Sequence, residues 1–185
     1  MSNHSYFFFG LAMLFSSIAL GQKKMLLTKS TTEKIVIDGK FNEASWANAE
    51  VAKDFLMIEP DNGKPIAEGK RTEVKVIYDN SAVYIAATLH DDEPSKILSE
   101  FTLRDDFAVA DHFGVLLNGY NDGQQEFRFF VSAAGVQQDG VYTEAYGEDF
   151  SWDAIWDSHV EITNFGWTVE MRIPYAALRF PSEKK

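Results

Sequence analysis

The sequence predicts an all-β protein, an antiparallel β-sandwich of immunoglobulin or jelly-roll type with a few short helical turns. Three observations predict it. From Glu33 to Ile173 apolar residues recur mainly at every second position, the spacing that places them on one face of a strand. Turn clusters such as Asp79-Asn80-Ser81, Gly119 to Gly123, Ala134-Gly135 and Asn164-Phe165-Gly166 separate these runs at hairpin-like intervals. Helical patterning is confined to Asn42 to Ala49, Trp152 to Trp156 and a short turn opened by Pro174 and ending near Leu178.

Taken in order, the chain opens with an apolar, uncharged run from Tyr6 to Leu20, closed by Ala19-Leu20-Gly21 and then the polar Gln22-Lys23-Lys24. The run is shorter than the roughly 20 residues that span a bilayer, and small residues stand at the two positions a signal peptidase reads. Residues 1–21 are therefore expected to be a signal peptide, and 22–185 the mature domain. Glu33 to Ile37 reads as a first strand closed by Asp38-Gly39. Thr72 to Tyr78 and Val83 to Leu89 flank a tight turn and form a hairpin. His112 to Asn118 and Gln125 to Ser132 follow, the latter with Phe127, Phe129 and Val131 on one face and Arg128 on the other. Val136 to Thr143, Ser158 to Thr163 and Trp167 to Ile173 complete seven or eight strands. The loops Asp54–Arg71 and Asp91–Asp111 are long, and long loops on a rigid sandwich commonly carry binding residues.

Composition narrows the function. With 17 Lys+Arg against 28 Asp+Glu, the net charge is −11. That balance excludes nucleic acid as the expected partner, because counterion release from phosphate needs Lys and Arg. Cysteine is absent, which removes disulfides, thiolate metal sites and a thiol nucleophile. A secreted chain without cysteine suits a bacterial envelope, in the periplasm or at the outer membrane and cell surface. No G-x-S-x-G, P-loop, G-x-G-x-x-G or H-E-x-x-H motif occurs, so the domain is expected not to be an enzyme.

Two clusters carry chemistry. Asp91, Asp92 and Glu93 follow one strand, and Asp105 and Asp111 precede the next. Carboxylates in loops between strands suit Ca²⁺, which takes 6–8 oxygens; a solvated acidic loop accounts for the same residues equally well. Tyr142, Tyr146, Phe150, Trp152 and Trp156 lie close together in a polar stretch. Aromatic rings stack on the C–H faces of sugars while polar neighbours take the hydroxyls. A glycan is expected to stack on Trp152, with Tyr146 or Trp156 flanking and Arg104 or Asp153 taking hydroxyls. Trp46, Trp156 and Trp167 also read as core residues, and Trp152 and Tyr146 have the most polar surroundings. Arg104 and Arg128 are candidate donors to sugar hydroxyls; an ion pair of Arg104 with Glu170 is an equally good structural reading.

Several of these residues fall in a familiar order. Ile37-Asp38-Gly39 followed by Glu43-Ala44-Ser45-Trp46 resembles the opening of the family 9 carbohydrate-binding modules. The resemblance runs on through Thr72 to Val76, Asp91 to Pro94, Arg104-Asp105, Phe127 to Gly135, Gln138-Asp139, Trp152 to Trp156 and Gly166 to Pro174. It implies a sandwich, bound calcium and recognition of a carbohydrate or polysaccharide between tryptophans. It is greatest for modules that precede a barrel-like region in larger bacterial envelope proteins, so a C-terminal domain of the same parent protein is the expected covalent partner. Two alternatives accompany this expectation: a periplasmic interaction or plug-type sandwich that binds no sugar, and the accessory module of a glycoside hydrolase.

Overall fold

The computed structural model describes residues 24–180; the expected signal peptide lies outside them. Ten strands run in chain order as β1 (Lys29–Ser30), β2 (Val51–Ala52), β3 (Thr72–Tyr78), β4 (Ala82–His90), β5 (His112–Leu117), β6 (Gln125–Ser132), β7 (Gln137–Thr143), β8 (Gly147–Asp149), β9 (Asp157–Thr163) and β10 (Gly166–Pro174). They form two sheets. One has the order β1-β3-β4-β10-β9, with β2 also against β3, and the other is β5-β6-β7-β8. Every pair is antiparallel except β1 with β3. The predicted sandwich is therefore present, and the seven long strands fall where alternation put them. The very short β1, β2 and β8 carry too few residues to show a period.

The space between the sheets is filled by the expected faces. Trp167, Val169, Met171 and Ile173 of β10, with Ile85 and Ala87 of β4, meet Phe127, Phe129 and Val131 of β6. The β3–β4 hairpin is fixed by Asp79, whose Oδ1 accepts the backbone N–H of Ser81 (2.6 Å) and Ala82 (2.8 Å). Its Oδ2 accepts the Tyr84 hydroxyl at 2.9 Å.

Two local expectations need correction. Glu33 to Ile37 is not a strand. It lies with α1 (Ala44–Ala47) as a cover on the outer face of the larger sheet, where Ile35 and Trp46 pack with Ile77, Tyr84 and Ala86. Its polar groups are met by side chains instead of a ladder: Val36 N–H donates to Glu43 (2.9 Å), and Glu33 accepts from Ser45 N–H (2.9 Å). Trp152 to Trp156 makes no helical turn. It is an extended crossover from one sheet to the other, held by Asp139, whose Oδ2 accepts Ala154 N–H at 2.5 Å and whose Oδ1 accepts the Trp156 indole N–H at 3.1 Å. The turns at Asn42–Ala49 and after Pro174 are present, as α1 and as a 3-10 turn at Tyr175–Ala177.

Under the N-terminal cover, Glu170 of β10 is 0% exposed. Its Oε2 accepts the backbone N–H groups of Asp38 and Gly39, both at 3.0 Å, and its Oε1 accepts the Trp46 indole N–H at 3.0 Å. Burial pushes the carboxyl up to about 7, outweighing these three donors, and Glu43 adds to the rise. Between the ordinary value of 4.5 and this raised one, the folded state holds a proton that the unfolded chain has released. The stability it contributes is fully present below the lower value and is lost as pH rises through the upper one. Unfolding free energy should therefore fall by about 2–3 kcal/mol from about pH 5 to about pH 8. Denaturant unfolding across that range checks this, with Glu170→Gln as the non-titrating reference; an equal slope in both proteins would contradict it.

Candidate functional site

The aromatic cluster expected around Trp152 does not form one platform. Tyr146 is 92% exposed, in the turn between β7 and β8. Trp152 is half-buried and set against the rings of Phe127 (5.2 Å) and Phe129 (6.1 Å). Trp156 is 5% exposed, edge-on to Phe129 at 5.4 Å. Trp152 and Trp156 turn inward because their crossover closes the open edge of the sandwich, where apolar area is worth most when buried. Trp46 and Trp167 are core, as expected.

Arg104 and Asp153 are brought together, but around a carboxylate that the composition of the loops did not single out. Asp139 of β7 is 0% exposed. Arg104 Nη2 donates to Asp139 Oδ1 and to the Ala154 carbonyl (3.1 Å), and its Nη1 donates to Gln137 Oε1 (2.5 Å). Arg104 Nε lies 3.5 Å from Asp105 and 3.6 Å from Asp153. The pairing of Arg104 with Glu170 does not occur; each has its own partners in a different layer.

Asp105, Asp139 and Asp153 present oxygens within 4.8 Å of one another, hard ligands of the kind a metal ion takes. Of the five residues expected to bind calcium, only Asp105 belongs to this group. Asp91 and Asp92 pair with Lys70 at 2.5 and 3.2 Å, Glu93 pairs with Lys96 at 2.5 Å, and Asp111 accepts the Leu98 N–H at 3.1 Å. The lysine ammonium holds Asp91 below the usual carboxylate range. These acids diverge because a nearby cation or N–H neutralises each one locally. Nor does the converging group fit calcium as it stands. Both oxygens of Asp139 are already engaged, Asp105 Oδ1 accepts the Asp139 N–H at 3.1 Å, and the Arg104 guanidinium lies among the remainder.

The face that emerges from the structure is the outer side of β5-β6-β7-β8. Along β6, Glu126, Arg128 and Phe130 alternate with the buried Phe127, Phe129 and Val131. Gly114 of β5 lies opposite Phe130 and Gly140 of β7 opposite Arg128. A Cβ at Gly114 would stand 2.3 Å from the Phe130 ring, and one at Gly140 2.8 Å from the Phe150 ring. These glycines let both rings lie down on the sheet. Phe107 stands edge-on to both, 5.6 Å from Phe130 and 5.5 Å from Phe150, and lies 5.3 Å from His112.

Beside these rings the Arg128 guanidinium lies 4.5 Å over the Tyr142 ring and pairs with Glu126 (3.0 Å) and with Glu148. Arg128 Nε and Gln138 Oε1 are buried without a hydrogen-bond partner. Glu43 Oε2 and His90 Nε2 are likewise buried without a partner elsewhere in the described residues, so these atoms do not by themselves mark the face. Aromatic rings beside fixed donors and acceptors can stack on C–H surfaces and read hydroxyls at once. Sequence reasoning placed Arg128 off the apolar face but missed Phe107, Phe130 and Gln138. The available signal was the pair of mid-strand glycines, which mark close approach of a neighbouring group.

The outer face thus sets rings beside a guanidinium and carboxylates, partly under the loop before β5: Gln138 is 3% exposed and its Nε2 donates to the Asp105 carbonyl at 3.3 Å. Residues 37–185 match the carbohydrate family 9 binding domain-like family, and the chain belongs to that family of non-catalytic modules. Among solved structures it is similar to a family 9 carbohydrate-binding module from Caldicellulosiruptor kristjanssonii in complex with cellotriose. The TM-score is 0.55 at 16% identity, covering 80% of this chain and 66% of the other. A glucose complex from the same organism gives 0.55 at 15% identity, over 85% and 72%. The chain thus spans just under two thirds of the first of these, and at such identities the likeness is one of fold. No curated protein matches the chain.

Proposed function

We propose that the domain binds carbohydrate without acting on it, through the outer face of β5-β6-β7-β8. One observation carries the placement: the ring cluster of Phe107, Phe130 and Phe150 lies beside Arg128, Glu126 and Glu148 on one sheet face. A pyranose stacks its C–H face on the rings and offers hydroxyls to the charged groups. Family membership supports the ligand class, and the neighbours' complexes with cellotriose and glucose make glucose-based oligosaccharides the first to try. In this reading the module is exported by residues 1–21 and tethers a larger envelope protein to polysaccharide at the periplasmic or outer surface. A glycan array followed by calorimetry on the best ligand tests it. Measurable affinity, lost in Arg128→Ala protein that circular dichroism shows to remain folded, is expected.

A second reading, a protein-docking sandwich, is favoured by Phe101 and Leu103, which are strongly exposed in the loop before β5. A null result across the array, together with a parent-protein domain that binds this loop, would favour it.

A further inference from the structure

The resemblance to the family leads one to expect calcium, yet the place where carboxylates converge already contains a cation. The three acids come from three separate segments: Asp105 from the loop before β5, Asp139 from β7 and Asp153 from the crossover. A hard cation bridging these segments would need 6–8 oxygens around it. Asp139 has little to spare while Arg104 is in place: Oδ1 accepts from both the Trp156 indole and Arg104, and Oδ2 accepts the Ala154 N–H, so removing Arg104 frees a position on Oδ1. All three nitrogens of Arg104 face the cluster or its rim, with Nη1 also donating to Gln137 and Nη2 to the Ala154 carbonyl. A guanidinium is planar, permanently charged and multiply donating, so it can hold three oxygen-bearing segments at once.

We infer that Arg104 is the resident cation of this cluster and does the bridging expected of a metal, so the crossover is held to β7 without calcium. The inference stands whether or not the neighbouring face binds sugar. It further implies that removing the guanidinium leaves three carboxylates, one of them buried, with no countercharge, which converts the cluster into a site that needs a divalent ion.

The test follows the melting temperature in EDTA and then in excess Ca²⁺, for wild type and Arg104→Ala. A second readout is Tb³⁺ luminescence sensitised by Trp156, whose indole touches Asp139. Wild type should melt at the same temperature in both conditions and show no sensitised Tb³⁺ emission. Arg104→Ala should melt lower in EDTA, recover on adding Ca²⁺ and sensitise Tb³⁺. If that variant is unfolded without metal, recovery of its near-UV dichroism with Ca²⁺ is the expected result, and no recovery counts against the inference. A Ca²⁺-dependent rise in wild type that Asp153→Asn abolishes, or an Arg104→Ala protein that folds and ignores Ca²⁺, would overturn it.

Discussion

Trp46→Ala is expected to be among the most destabilising single substitutions in the domain, at about 3–5 kcal/mol. The ring is 0% exposed and packs between the N-terminal cover and the larger sheet, touching Phe41 edge-on at 6.3 Å. Its indole N–H is also one of three donors to the buried Glu170 carboxyl. Alanine leaves a cavity and removes that donor; Trp46→Phe keeps most of the volume and loses the hydrogen bond alone, at a cost of about 1–3 kcal/mol. Equilibrium denaturation of the two variants separates the contributions. A Trp46→Ala protein as stable as wild type would mean that the cover over Ile77, Tyr84 and Ala86 contributes little to folding.

Trp156→Ala should cost a similar amount, about 3–5 kcal/mol, because it empties the space beside Phe129 and takes a donor from the buried Asp139. Trp152→Ala should also lower stability, by less, since its ring is only half-buried against Phe127 and Phe129. Neither substitution should reduce glycan affinity in protein that remains folded. This departs from the expectation drawn from composition, in which Trp152 was the stacking platform. Thermal melts paired with calorimetry decide between the two: a Trp152→Ala protein of unchanged stability and lost affinity would restore the earlier expectation.

The contrast shows what alternation could and could not reveal. Period-two spacing located Phe127, Phe129, Val131, Val169 and Met171 on inward faces because burial on a strand is a one-dimensional property. It also placed Arg128 outward. It misread Glu33–Ile37 as a strand: the segment packs as a cover through Ile35, and the Val36 N–H finds the Glu43 side chain instead of a ladder partner. It misread Trp152–Trp156 as a helical turn, where the chain crosses between sheets with Trp152 and Trp156 turned inward, Asp153 and Ile155 outward, and the Ala154 N–H on the buried Asp139. Acid clusters were legible as clusters, but their geometry was not. Asp91, Asp92 and Glu93 are adjacent in sequence and are claimed by two lysines, Lys70 and Lys96. Asp105, Asp139 and Asp153 are far apart in sequence and meet only because β7 runs between the loop and the crossover. The rings of the outer face were hidden for the same reason: Phe107, Phe130 and Phe150 come from three different segments and meet through Phe107.

The most direct test is a two-dimensional NMR titration of the isotopically labelled domain with the best-binding soluble oligosaccharide. The account predicts that the largest shift changes cluster on the amides of Gly114, Arg128, Phe130 and Gly140 and on the Arg128 Nε–H, while the indole N–H signals of Trp152 and Trp156 stay in place. Changes concentrated on those indoles and on Tyr146, with the outer face of β5-β6-β7-β8 unmoved, would contradict it.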